Sequence, residues 1–203
     1  MKKVLPLLLA LCLLTGCTNS RIGIPDAADA SETSAQLVLP VPDEATVRNR
    51  FEKALEVYGW FDLCSLEVDT SRSYVVDGKT YYRVVSEEVP DFQTLRTIVY
   101  DLFSAEIGDA LFRGDGENIP YRDINGELYS LDGARGADIT KGDYTLTVET
   151  ENSTSILCKV QVEIIDLDTG AEEYRRVVGT EEYTYAYRAV GNRWVFTDFR
   201  LFY

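Results

Sequence analysis

Histidine is absent from all 203 residues. That absence removes Ser-His-Asp and Cys-His catalysis, histidine-ligated zinc, and the commonest general base near neutral pH. Cysteine is scarce. Of the four, Cys12 and Cys17 lie near the N-terminus, which leaves Cys64 and Cys158, too few for a zinc site. The chain has no phosphate loop of the G-x-x-x-x-G-K-S/T form and no Gly-x-Ser-x-Gly elbow. Its N-terminal apolar run, Val4 to Leu14, is eleven residues long, short of the ~20 that a spanning helix needs. Basic residues number 20 against 34 acidic ones, a net charge of −14. Nucleic-acid binding needs clustered Lys and Arg to neutralise phosphates, so this balance argues against it.

What the N-terminus does contain is an export signal. Lys2 and Lys3 precede the apolar run, which ends in Leu14-Thr15-Gly16-Cys17. This tetrad resembles a bacterial lipobox, and the resemblance implies cleavage of residues 1–16 and acylation of Cys17. Two or three acyl chains, each methylene contributing ~0.8 kcal/mol, hold a protein on a bilayer where one chain barely does. Loss of 1–16 removes two lysines and leaves 18 basic against 34 acidic residues, a net −16. Such a charge gives no adhesion to anionic lipid, so the acyl chains alone would anchor the chain, outside the cell membrane. It also allows steering toward a basic partner, although an acidic surface is commonly just a soluble one. Residues 17–42, rich in Ala, Ser, Asp and Pro, lack the apolar content to order themselves and are expected to form a tether. Residues 43–203 make one domain's worth of chain.

Within that domain, Asp43 to Tyr58 has helical periodicity, with Val47, Phe51, Ala54, Leu55 and Tyr58 on one face, Asp43 as cap and Gly59 as terminator. Thr80 to Glu88 is an expected strand after a turn at Asp77-Gly78-Lys79. Asp91 caps a second helix to Phe103, and Ser104 starts a third through Phe112. Arg113 to Gly142 is rich in Gly and Asp and predicts loops around one hairpin, Pro120–Ile124 turning at Asn125-Gly126 into Glu127–Leu131. From Asp143 onward the period is two. Tyr144, Leu146 and Val148 alternate with polar residues, as do Cys158, Val160, Val162 and Ile164, and then Tyr183, Tyr185 and Tyr187. Turns are expected at Asp168-Thr169-Gly170 and Val190-Gly191-Asn192, and Arg193 to Tyr203 reads as a closing strand. Helices first and a meander afterwards predict an α+β fold, a curved antiparallel sheet packed on two or three helices. That arrangement resembles the cystatin-like, or NTF2-like, architecture. Enzymes of that fold often use a His/Asp pair, for which this chain has no histidine.

Carboxylates, one acidic loop, tyrosines and cysteines are the groups left that could carry chemistry. A carboxylate hydrolase would draw on Asp109, Asp115, Glu117 and Asp123, but their spacing sets no two of them across a substrate. The loop Asp166 to Gly170 has too few acids for a calcium loop and reads better as a turn. The tyrosines in the sheet are good strand formers for a half-buried face, whereas Tyr121 and Tyr129 flank a polar hairpin and suit either core or interface. Cys64 and Cys158 could pair outside the cell, which requires Cα atoms within ~7 Å, or Cys158 could stay a free buried thiol on an inward strand position.

Several phrases taken together, Leu55 to Phe61, Gly78 to Val84, Leu102-Phe103-Ser104, Tyr121 to Tyr129, Gly133 to Gly136 and Trp194 to Phe199, resemble the IseA-type DL-endopeptidase inhibitors. The resemblance covers most of the chain from Asp43 onward. It implies a non-enzymatic envelope protein without cofactor, monomeric, that restrains a peptidoglycan hydrolase of the NlpC/P60 class by covering its groove. The lipobox departs from the simply secreted members. Asp115, Glu117, Asp123, Glu127 and Tyr129 are the partner-binding residues expected on the Gly/Asp segment. The competing expectation is a ligand- or glycan-binding lipoprotein with a tyrosine-lined pocket on the concave face of the sheet.

Overall fold

A computed structural model describes residues 39–133, 136–166 and 176–203. The signal sequence, Cys17, most of the expected tether and the Asp168-Thr169-Gly170 turn lie outside the described residues. The fold is α+β. Among the described residues, three helices precede or interrupt eight antiparallel strands: α1 Glu44–Asp62, β1 Val68–Val76, β2 Lys79–Val84, α2 Phe92–Leu102, α3 Ala105–Arg113, β3 Tyr121–Ile124, β4 Glu127–Leu131, β5 Lys141–Asn152, β6 Ser155–Asp166, β7 Arg176–Val190 and β8 Arg193–Phe196. The strands divide into two sheets, ordered β1-β2-β4-β3 and β5-β6-β7-β8, where the sequence suggested one. No described helix is long and apolar enough to cross a membrane.

Helix α1 is the element both sheets share. Asp43 caps it by accepting the Thr46 N–H at 2.7 Å, as expected of an Asp before an amphipathic run. Gly59 does not end it. The helix continues one more turn to Asp62, where the Leu63 N–H bonds to the Gly59 carbonyl at 2.9 Å. Burial of Trp60 and Phe61 outweighs the ~1 kcal/mol that glycine costs within a helix. In the first half of α1, Phe51 meets Tyr144, Tyr185, Phe196 and Phe199 with ring centroids 5.4–6.3 Å apart. In the last turn, Phe61 packs edge-on against Phe112 of α3 and Tyr121 of β3, both at 5.1 Å. The buried Tyr121 hydroxyl donates to the Trp60 carbonyl at 2.5 Å, satisfying an orphan acceptor at the helix end. Among the described residues the helix–sheet interface is therefore filled with rings, and Tyr144 and Tyr203 line only an open cleft of about 390 Å³ beside α1.

Helices α2 and α3 start as their caps direct. Asp91 accepts from the Thr94 N–H at 2.7 Å and Ser104 from the Ile107 N–H at 3.4 Å. Arg50 of α1 bonds Asp101 of α2 at 2.5 Å, tying the two helices. Gly108 lets α3 approach the Tyr100 ring, since a Cβ there would lie 2.6 Å from it.

The hairpin turns follow the expected chemistry. Asn125 and Gly126 have φ of 57° and 83°, and Asp77 and Gly78 have 54° and 77°, the left-handed pairs of type I′ turns. Strand β1, which the sequence did not reveal, is exposed over most of its length and carries a register shift between Asp69 and Ser73. In β6 the inward residues are Ile156, Cys158, Val160 and Val162, and then the phase changes. A register shift opposite Gly179 and Val177 turns Ile165 inward in place of Ile164. Strand β8 stops at Phe196, short of Tyr203, because Phe196 bridges to Phe103 and Phe199 and Phe202 turn into the core. The Tyr183, Tyr185 and Tyr187 row belongs to that core. The outer edge of β5 is blocked in one place by Arg48, whose guanidinium donates to the Leu146 carbonyl at 2.7 Å.

Phe51→Ala should cost about 3–5 kcal/mol of unfolding free energy, read from the urea midpoint at unchanged slope. A loss under about 1 kcal/mol would show that α1 does not hold the two sheets together.

Candidate functional site

The C-terminal end of α1, the N-terminal turn of α3, the segment after α3 and the segment after β8 enclose an open cleft of about 560 Å³. Its floor is apolar, with Phe61, Leu111 and Phe199. Its walls carry Asp62, Glu106, Asp115 and Asp198, one carboxylate from each element, and no Lys or Arg lines it. A second cleft of about 500 Å³ shares Phe61, Asp62, Asp115, Asn118 and Pro120 with the first and extends to Cys64 and Lys79. Asp115 therefore stands on the wall between them.

The segment after α3 is tightly built. Gly114 has φ of 59°, and a Cβ there would lie 2.1 Å from the Asn118 carbonyl oxygen, so only glycine fits. Asp115 Oδ1 accepts the N–H groups of Glu117 at 3.0 Å and Asn118 at 2.5 Å, and Oδ2 accepts the Asn118 amide at 2.5 Å. Lys79 donates to Asn118 Oδ1 and joins this loop to the start of β2. Hydrogen bonds from Asn118, backbone first, hold the Asp115 carboxyl below its ordinary range. The loop is a braced turn with its charge fixed.

The five residues expected to meet a partner have different fates. Asp115 and Glu117 are exposed on this loop. Asp123 is exposed, but its carboxylate closes the β3–β4 turn by accepting the Gly126 N–H at 2.8 Å. Glu127 is half-buried and takes Arg72 and Arg83, each at 2.8 Å. Burial alone would raise its carboxyl, but the two arginines, Arg83 foremost, hold it low. Tyr129 is 1% exposed, edge-on to Tyr74 at 5.3 Å. Glu127 and Tyr129 are thus engaged within the sheet. They alternate on the outer face of β4, where an inner strand of the sheet buries even its outward tyrosine. Of the hydrolase candidates, Asp115 alone lines these two clefts. Asp109 accepts from the Tyr100 hydroxyl at 2.5 Å on α3 instead. A general acid needs a raised carboxyl, and Asp115 is shifted the other way. Asp62, Glu106 and Asp198 were missed because each comes from a different part of the chain and no local motif marks it.

Of the two alternatives for Cys64 and Cys158, the structure holds free thiols. Cys158 lies in β6 between Val148 and Tyr185 of the second sheet. Cys64 follows α1 with φ of 48° and lines the second cleft. Burial and then the Asp62 charge push the Cys64 thiol up. Burial pushes Cys158 up to about 12. Among the described residues no three acidic or cysteine side chains converge as metal ligands. No protein-family profile matches the chain, and no curated protein matches it either.

Two predictions follow from this geometry. Because the folded Asp115 carboxyl is lower than the unfolded one, its contribution to loop order is present above the unfolded value, ~3.9, and lost as pH falls through the folded value. The amide signals of Glu117 and Asn118 should hold steady from pH 7 to about 4 and collapse together below it. A midpoint above about 5 would contradict the bracing. In native protein at neutral pH, a disulfide-exchange reagent should leave Cys158 untouched and attack Cys64 slowly, faster as pH rises, with both reacting at once in denaturant. Rapid native reaction of Cys158 would place it outside the core.

Proposed function

We propose that this chain is a non-catalytic cell-envelope lipoprotein, anchored outside the membrane through Cys17. It inhibits a peptidoglycan DL-endopeptidase of the NlpC/P60 class by laying the 113–118 loop and the acidic cleft rim against it. The observation that carries the reading is the loop itself. It is exposed, yet fixed by Gly114, the three hydrogen bonds to Asp115 and the Lys79–Asn118 tie. An inhibitor that works by covering a groove needs a rigid surface, since ordering a loose loop on binding would weaken it. Carboxylates at the rim favour a basic contact and speed association more than they tighten it. The low Asp115 carboxyl suits a fixed negative charge and does not suit an acid catalyst. The resemblance in Leu55 to Phe61 and Trp194 to Phe199 falls on α1 and on β8 with the segment after it, which give Phe61 and Phe199 to the cleft floor.

Purified protein in micromolar excess should slow wall lysis by such an enzyme, and Asp115→Ala with Glu117→Ala should raise the concentration needed about tenfold, the equivalent of ~1.4 kcal/mol. No change in lysis rate with the unaltered protein would overturn the reading. Cys17→Ser should move the protein from the membrane fraction to the soluble one. Continued membrane association would overturn the anchor.

A further inference from the structure

Strand β2 reaches the braced loop with two side chains. Lys79 and Tyr81 are alternate residues of the strand, so the pleat turns both to the same face. Lys79 donates to Asn118 Oδ1, and the Tyr81 hydroxyl donates to the Ile119 carbonyl at 3.0 Å. Tyr81 is 0% exposed. Its hydroxyl also accepts from Arg122 Nε at 3.0 Å, and the Arg122 guanidinium lies over the Tyr81 ring, 5.4 Å from its centre. Arg122 reaches on to Asp77 at 3.2 Å, beside the β1–β2 turn. Turning the hydroxyl away would strand both the Ile119 carbonyl and the Arg122 donor, a costly change at a buried position.

The ends of the loop are held separately. The Gly114 N–H closes α3 on the Ala110 carbonyl at 3.1 Å, and the Pro120 carbonyl accepts the Leu131 N–H at 2.8 Å. The bonds to Asp115 come from Glu117 and Asn118 and are internal to the loop. A loop ordered only within itself can still swing as a unit about its ends. Lys79 and Tyr81 oppose that swing by tying its later half to a strand. That strand is an inner one, paired with β1 on one side and β4 on the other.

We propose that Lys79 and Tyr81 are positioning residues for inhibition. From β2 they hold the 113–118 loop in the place where it meets the enzyme. A buried hydroxyl with no access to a partner therefore sets how well the protein inhibits, because a swinging loop must be stilled on binding. This rests on the reading of that loop as the contact surface.

The test compares Tyr81→Phe, which keeps the ring and loses the hydroxyl, with Lys79→Met and Lys79→Arg in the full chain. Amide exchange at Gly116, Glu117 and Asn118, measured without enzyme, should quicken about tenfold in Tyr81→Phe and Lys79→Met, the order expected for one lost hydrogen bond. Exchange in β5 to β7 should keep the rate of the unaltered protein. Lys79→Arg retains a charged donor and should restore slow exchange in the loop. The first two variants should also need several-fold more protein to slow wall lysis, and Lys79→Arg should not. Lys79→Met keeps the test open if Tyr81→Phe does not fold. Exchange that quickens equally in β5 to β7 would make these ordinary packing residues and overturn the proposal. Quickened loop exchange with unchanged inhibition would also overturn it. Inhibition by the unaltered protein with loop exchange unmoved in the variants would overturn the positioning alone. No inhibition by the unaltered protein would overturn the inhibitor reading and this proposal together.

Discussion

The apolar stripe of α1 is the constraint on which the rest depends. A sheet with one apolar face has to be covered, and here one helix covers two. Phe51 closes the second sheet and Phe61 the first, ten residues apart on the same helix. If either ring were lost, one sheet would keep a face open to water and the clefts between the two halves would lose their floor. The site is thus a by-product of the core. Phe61 and Phe199, which fill the helix–sheet interface, also surface as the bottom of the cleft.

An acidic chain has to place its carboxylates so that they do not repel one another, and this one uses several to build turns and ties. Asp43 and Asp91 cap helices, Asp115 and Asp123 close loops, and Glu127 gathers two arginines. Exposed ion pairs such as these contribute little individually, typically under ~1 kcal/mol. Their value lies in fixing geometry.

Much of the fold was legible because local signals and burial agreed. The Asp43, Asp91 and Ser104 caps, the Asn125-Gly126 turn and the alternation in β5 to β7 all express preferences that the tertiary structure reinforces. Where they conflicted, packing won. Gly59 has the chemistry of a terminator, yet Trp60 and Phe61 pull the helix past it. The Arg193 to Tyr203 run has strand composition, yet Phe199 and Phe202 are spent on the core. Strand β1 lacks alternation, its apolar residues gathered at Val68 and at Tyr74 to Val76, because most of its length is exposed. The site was less legible. Asp115 could be picked from a glycine-rich loop, but Asp62, Glu106 and Asp198 converge only in three dimensions. For Tyr129 the sequence left core and interface open, because a tyrosine beside a polar hairpin carries no mark of its burial, and the structure buries it.

The account claims that a prebuilt loop, with no catalytic group, meets another protein. Amide hydrogen exchange of the protein with and without a DL-endopeptidase of the NlpC/P60 class tests this most directly. The account predicts added protection at Gly116 to Asn118, with exchange in β5 to β7 unchanged. Protection confined to the second sheet, or none at saturating enzyme, would contradict it.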